Sequence, residues 1–299
     1  SAMVVIDYKT GNVIGTVGGL GEKTESRGLN RATQSVRQTG SSMKPLAVIA
    51  PGLEEKVITA ATVYDDAATD FGGGYKPENY NGFKGLLNIR QFISTSQNIP
   101  ALKIMRELTP EKSITYLNKM GLSNIKADQD NDLSLALGGT RNGATPLEMA
   151  AAYATIANDG VYIKPTFYTK VEDSEGKVVM QPTQESERVC SVETAYIIKN
   201  LMKGVVSDSG GTATYCKING MDLAAKTGTT NGDKERWLCG FTNYYAAAAW
   251  FGYDTQEEVK YSGNPAGLLF AGAMKAIHKG KEASTFDKPE NVVTATVCR

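Results

Sequence analysis

The sequence predicts an α+β fold in which one antiparallel sheet is packed against helices. Two short apolar runs around a glycine-bearing turn open the chain, helical periodicity fills its middle, and three strand-like runs return near its end. Two early and three late strands make a five-stranded sheet that joins the beginning of the chain to its end.

Met3-Val-Val-Ile-Asp7 and Val13-Ile-Gly-Thr-Val17 flank Lys9-Thr10-Gly11-Asn12, which reads as a hairpin. A helix is expected from about Ser41, with Pro51-Gly52 ending or kinking it. Residues 61 to 85, rich in Gly, Tyr, Asn and Asp, read as an exposed irregular loop. Helical periodicity marks 87 to 107, 111 to 120, 145 to 158 and 191 to 205. Thr145-Pro-Leu-Glu148 has the capping-box form with proline at the first helical position, so Glu148 reads as a cap rather than a catalytic base. Strands follow at 223 to 229, 237 to 243 and 245 to 253, then a helix from about Ala266 to His278. No repeat, low-complexity tract or linker divides the chain, so residues 1 to 299 are expected to form one domain.

With 41% hydrophobic and 21% charged residues, a chain of 299 residues buries a full core. Lys plus Arg and Asp plus Glu number 32 each, so no net field favours nucleic acid, which is not an expected partner. No apolar run approaches the roughly 18 residues of a membrane span, and the N-terminus lacks a leader's layout, so the chain as given reads as soluble. Cys190, Cys216, Cys239 and Cys298 have no CxxC spacing and His278 is the only histidine, so neither a metal nor a cofactor is expected. The four cysteines allow three pairings and the sequence favours none. Cys239, in a strand-like run, reads as a buried small hydrophobe, and His278 as a surface residue near a helix C-terminus.

The chemistry concentrates in Thr39-Gly-Ser-Ser-Met-Lys-Pro-Leu46. On a helix, i and i+3 share a face while i and i+2 diverge, so Ser41 rather than Ser42 can meet Lys44. At a helix N-terminus, Ser41 would have free N–H groups and the dipole to stabilise negative charge. Alone, S-x-x-K arises by chance on the order of once in a chain this long. Ser96-Gln-Asn98 and then Lys226-Thr-Gly-Thr229 follow it in order.

S-x-x-K, S-x-N and K-T-G in this order resemble the penicillin-binding protein and serine β-lactamase superfamily. Ile6-Asp-Tyr-Lys-Thr-Gly-Asn-Val13, Asn30-Arg-Ala32, Arg37-Gln-Thr-Gly-Ser-Ser-Met-Lys-Pro45, Leu135-Ala-Leu-Gly-Gly139, Thr145-Pro-Leu-Glu-Met-Ala-Ala-Ala-Tyr153 and Lys226-Thr-Gly-Thr-Thr-Asn231 extend the likeness over nearly the whole chain. They are similar to the transpeptidase domain of bifunctional class A penicillin-binding proteins. The resemblance implies a sheet region from about 1–40 and 200–299, an all-helical subdomain at about 50–160, and an upstream membrane anchor and glycosyltransferase domain absent from this chain. Pro51-Gly52 and Ser209-Gly-Gly-Thr212 depart from the family pattern.

The activity implied is D,D-transpeptidation of peptidoglycan, with D,D-carboxypeptidase as a side activity, at the extracytoplasmic face of a bacterial membrane. Its partners would be stem peptides ending in D-Ala-D-Ala, and β-lactam antibiotics would inhibit it covalently. Ser41 would be the nucleophile and Lys44 the base. An ordinary lysine has a pKa of about 10.4, so half deprotonation at pH 7 requires lowering it by about 3.4, roughly 4.6 kcal/mol. Burial and the Lys226 cation are the expected causes. Ser96 would relay a proton and Asn98 would orient the substrate and Lys44. Lys226, Thr227 and Thr229 would bind the terminal carboxylate, with Gly228 leaving room for substrate backbone. The N–H groups of Ser41 and Thr229 would form the oxyanion hole, roughly 2.7 to 4 kcal/mol per donor in other acyl-transfer enzymes.

A β-lactamase would need a deacylation base, for which Glu148 is unsuited. A non-catalytic penicillin-binding sensor or scaffold would acylate without processing peptides. A Ser-His-Asp hydrolase would have to recruit His278 without a G-x-S-x-G, and the glycines of a P-loop do not precede Lys226-Thr227.

Overall fold

The structure, a computed structural model, describes residues 1–22 and 26–296; Cys298 lies outside the described residues. Strands β1 (Ala2–Asp7) and β2 (Asn12–Val17) form the expected hairpin, followed by a short helix α1 (Arg31–Gln34). The chain then runs through a 3-10 turn at Gly40–Met43, a π-helical turn at Pro45–Ile49 and α2 (Ala50–Glu54). β3 (Val63–Asp66) pairs with β4 (Gly85–Asn88) ahead of α3 (Ile89–Thr95), α4 (Ile99–Leu108), α5 (Pro110–Lys119) and α6 (Pro146–Ala157). Four short strands follow: β5 (Val161–Ile163) pairs with β8 (Ser186–Arg188), and β6 (Val171–Glu172) with β7 (Val178–Met180). Then come α7 (Val192–Ser207), β9 (Ala224–Thr229), β10 (Glu235–Phe241), β11 (Ala246–Gly252) and α8 (Pro265–Ile277).

The main sheet has the order β2-β1-β11-β10-β9 and is antiparallel throughout, so the α+β reading with two early and three late strands holds. Its register aligns Val4, Ala248, Cys239 and Lys226 in one row across four strands. Directly opposed residues share a face, and this face packs against the larger core that holds Met43, Leu46, Phe92, Tyr153 and Trp237. The other face, with Val5, Ala247, Leu238 and Ala225, packs against Phe270 and Met274 of α8. Lys226 is therefore a lysine at a core position of the strand nearest the edge.

Three readings change. The helix after Ser41 is not a regular α-helix, because Gly40 has φ of +54° and Pro45 has no N–H. Pro51 does not end it: the π turn absorbs the ring, and the Ala47 carbonyl that Pro51 cannot serve accepts Ser113 Oγ–H at 2.7 Å. The run read as one helix over 87 to 107 is two, broken where Ser96 takes a left-handed conformation with φ of 62°. The stretch 61 to 85 carries β3 and the first residue of β4, and its Asp66 is fully buried.

The other local expectations hold except that for His278. Glu148 and Thr145 form a reciprocal capping box. Cys190, Cys216 and Cys239 are buried free thiols, and burial pushes the first two up to about 12. His278 is not a surface residue: it caps α8, is buried, shares a 2.7 Å hydrogen bond with Thr242 Oγ1, and burial lowers its pKa. Among the described residues no helix is long and apolar enough to cross a membrane.

Candidate active site

The Gly40–Met43 turn, the α3–α4 junction and the edge strand β9 meet around Lys44. Its Nζ donates to Ser96 O at 2.7 Å, Gln97 O at 2.8 Å and Asn98 Oδ1 at 2.7 Å. The break in the helical run is what turns these groups toward Lys44, since continuous helix would have consumed the Ser96 and Gln97 carbonyls in its own ladder. From the strand side, Lys226 Nζ donates to Ser96 Oγ at 2.7 Å and to Thr227 O at 3.1 Å. Ser96 thus stands between two lysines.

Both lysines are fully buried. Burial, then the Lys226 cation, hold Lys44 well below the ordinary lysine range, with Asp66 pulling the other way. Burial lowers Lys226 to about 7.

The two serines have different environments. Ser42 is fully buried, its hydroxyl donates to Thr39 O at 2.7 Å, and its carbonyl accepts from Tyr153 OH at 2.7 Å. Ser41 is half-buried; its carbonyl accepts the Lys44 backbone N–H, and among the described residues no hydrogen bond joins its hydroxyl to Lys44 Nζ.

Main chain lies against main chain here. A Cβ on Gly40 would stand 2.3 Å from Thr229 O, and one on Gly138 would stand 2.3 Å from Gly40 O. A Cβ on Gly228 would meet Thr39 O at 2.3 Å and Ser42 Oγ at 3.0 Å. The neighbour that requires glycine at 228 is therefore the serine-bearing turn, not a ligand's backbone. Thr230 N donates to Glu235 O in the ladder, so by alternation Thr229 N–H points to the open side of the edge strand. The Ser41 N–H belongs to a first helical turn, where amides lack intrahelical acceptors.

Strand alternation divides the Lys226-Thr-Gly-Thr229 stretch. Lys226 and Gly228 face the serine turn, whereas Thr227 and Thr229 lie on the opposite face. Thr227 Oγ1 hydrogen-bonds Thr212 Oγ1 at 2.8 Å, and Thr229 Oγ1 accepts from Arg236 Nη1 at 3.2 Å. The structure brings together Lys44, Ser96, Asn98 and Lys226 beside Ser41, but it does not add those two hydroxyls to the lysine cluster.

Sequence reasoning missed Asp66, Asn79 and Thr212. Asn79 Oδ1 accepts Asn98 N–H at 2.6 Å, and Asn79 Nδ2 donates to Asp66 Oδ1 at 2.7 Å. A long stretch without period inside a compact domain is itself a sign of function, and it was the one available signal for the first two. An open depression of about 510 Å³, lined by Glu55, Lys112, Tyr116 and Lys119 among others, shares no residue with this site.

The family described as penicillin binding protein transpeptidase domain matches residues 1–275. The chain is 36% identical over 312 residues to penicillin-binding protein 1A of Clostridium botulinum, covering all of this chain and 37% of that protein. It is 37% identical over 319 residues to penicillin-binding protein 1A of Clostridium tetani, again over all of this chain and 40% of that protein. It therefore spans about two fifths of the length of these curated relatives. Among solved structures, penicillin-binding protein 1A from Haemophilus influenzae superposes with a TM-score of 0.83 at 26% identity, over 98% of this chain and 49% of that one. The PonA1 protein from Mycobacterium tuberculosis in complex with penicillin V superposes with a TM-score of 0.82 at 26% identity, over 97% of this chain and 81% of that one. On a match from residue 1 to residue 275 and whole-chain relatives above one-third identity, the chain belongs to the penicillin-binding protein transpeptidase domain family.

Proposed function

We propose that this chain is the D,D-transpeptidase part of a peptidoglycan-synthesising penicillin-binding protein, anchored through an upstream segment at the outer face of a bacterial membrane. The convergence of Lys44, Ser96, Asn98 and Lys226 on the turn that carries Ser41 is the observation that supports it.

Ser41 Oγ attacks the carbonyl carbon of the penultimate D-Ala of a stem peptide, and its proton passes to Lys44 Nζ. A neutral amine has two hydrogens for the three acceptors around Nζ, so one contact is given up as the lone pair turns to Ser41. The negative oxygen that forms is held by the N–H groups of Ser41 and Thr229. Ser96 Oγ accepts from Lys226, so its own O–H protonates the departing D-Ala nitrogen as Lys226 Nζ passes a proton to Ser96 Oγ. Lys44 returns its proton to Ser41 Oγ when the ester is cleaved, and the proton of the attacking amine or water restores Lys226 through Ser96. The Ser41 ester is then attacked by the amine of a second stem peptide, giving a cross-link, or by water, giving carboxypeptidase turnover. A β-lactam acylates Ser41 by the same first step, and the buried Lys226 cation attracts its carboxylate as it does that of D-Ala.

Rapid hydrolysis of the ester is disfavoured, because Glu148 is occupied by Thr145, Ser123 and Asn124. Incubation with a penicillin should add one adduct by intact-mass spectrometry, absent in Ser41→Ala and retained in Ser42→Ala. An adduct persisting in Ser41→Ala refutes the nucleophile. Release of D-Ala from a stem-peptide donor, with cross-linked product when an acceptor is supplied, separates the enzyme from a penicillin-binding sensor.

A further inference from the structure

The Asn98 amide lies in an unusual position. Asn98 is the N-cap residue of α4, where asparagine ordinarily accepts a backbone N–H of the first turn, yet it makes no such bond. Its Oδ1 instead accepts from Lys44, and its Nδ2 donates to Glu78 O at 2.7 Å. The adjacent Asn79 takes the Asn98 backbone N–H on Oδ1, which leaves Asn79 Nδ2 to face Asp66. Asp66 is fully buried at the end of β3, accepts Lys84 N–H at 2.9 Å besides Asn79, and among the described residues forms no salt bridge. A buried carboxylate with no cation in contact is costly, and two hydrogen bonds, from Asn79 Nδ2 and Lys84 N, offset part of that cost.

We propose that Asp66 and Asn79 are positioning residues for acylation: Asn79, held by the Asp66 carboxylate, fixes the Asn98 N–H and with it the Gln97–Asn98 peptide, whose carbonyl accepts from Lys44. This deepens the transpeptidase reading and rests on it. Each amide in the chain has its orientation forced. Asn79 cannot flip without setting Nδ2 against the Asn98 N–H, and Asn98 cannot flip without setting its oxygen against Glu78 O. The carboxylate also supplies the negative end of a line that runs through two amide dipoles to Lys44, opposite the Lys226 cation on β9. Around this line the other charged side chains sit at the surface: Asp65, Glu78 and Lys84 are exposed, Lys103 on α4 donates to Asp65 O in an exposed contact, and Glu111 and Lys112 on α5 are exposed. Lys44 is thus poised between Lys226, which lowers its affinity for a proton, and Asp66, which raises it.

The test is the second-order rate of penicillin acylation, followed by intact mass from about pH 6 to about pH 10, in the parent chain, Asp66→Asn and Asn79→Asp. Asp66→Asn removes the negative charge and one acceptor: the acid limb should move down by about half a pH unit or more, and the plateau should fall at least about tenfold. Asn79→Asp brings negative charge closer to Lys44 and should move the limb up. Opposite shifts from two near-isosteric variants are beyond what loss of loop structure can produce. An unmoved acid limb in both variants, whether or not the rate scales down, overturns the inference. Should Asp66→Asn fail to fold, the direction of the Asn79→Asp shift decides. A parent chain that acylates normally beside unshifted variants refutes this positioning role alone, whereas a parent chain that never acylates refutes the transpeptidase reading itself.

Discussion

Two fully buried lysines, with no carboxylate in contact among the described residues, flank Ser96, and on the proposed mechanism that pairing carries the chemistry and its cost together. Lys226 is the cation that keeps Lys44 short of its proton, so replacing it acts on both properties. Lys226→Met should abolish acylation, since Ser96 loses its donor and Lys44 its repulsive neighbour. Gly228→Ala is sharper in its geometry. The new methyl would stand 2.3 Å from the Thr39 carbonyl, a backbone atom that cannot swing aside. Loss of about 1–3 kcal/mol in denaturant unfolding is expected, with acylation at least about tenfold slower; a fully active variant would show that the turn yields. The helical-spacing argument selected Ser41 over Ser42 while assuming an α-helix that is not there. The spacing it relied on carries over, because a 3-10 turn also places i and i+3 on one side. The division of Thr227 and Thr229 from Lys226 was available from strand period alone, but reading the four residues as one motif hid it.

At the scale of elements, the segment after Ser41 depends on a hydrogen bond borrowed from α5. Ser113 supplies the proton that Pro51 cannot give to Ala47 O, and it is fully buried there. Ser113→Ala should cost about 1–3 kcal/mol by chemical denaturation, because it leaves a buried carbonyl unpaired. The pH profile of acylation should keep its shape, and a shifted acid limb would mean that α5 reaches the chemistry. Such tertiary rescue is invisible in sequence, where Pro51-Gly52 reads as an end or a kink. The same applies to Ser96: nothing in Ser94-Thr-Ser-Gln-Asn98 forbids helix, and the left-handed conformation is imposed by what its carbonyl must reach. By contrast Thr145, Glu148 and the hairpin at Gly11 carry their geometry in local chemistry, and they were legible.

For the whole molecule, the buried lysines make stability depend on pH in a direction opposite to that of an ion-paired lysine. Lys226 has a pKa of about 7 folded, against about 10.4 in an unfolded chain. Between these values the unfolded chain binds the additional proton, so stability rises with pH, by up to about 1.4 kcal/mol per unit. Below pH 7 both states are protonated and the penalty of burying the charge is complete. The difference in Tm between Lys226→Met and the parent should therefore favour the variant at about pH 6 and shrink towards about pH 10; a difference flat in pH would mean that Lys226 is not a buried cation. The sheet was legible because its inner strands are apolar and its turns are chemically marked. The paired strands β3 to β8 were not, because they are two to four residues long and mostly exposed, so no period can develop.

Gly138, Gly40 and Thr229 stack carbonyl on backbone, with Gly228 closing on Thr39 beside them. A wall made of peptide units offers point mutation almost nothing to vary: exchanging one side chain leaves its amides and carbonyls in place, and adding one to a glycine forces elements apart. Altered discrimination between a natural donor and a drug would then have to originate in the layer behind the wall, through small rigid shifts of β9 or of the serine turn. Variants selected for drug tolerance should accordingly map to residues packed against these two elements, and seldom to the stacked peptides themselves.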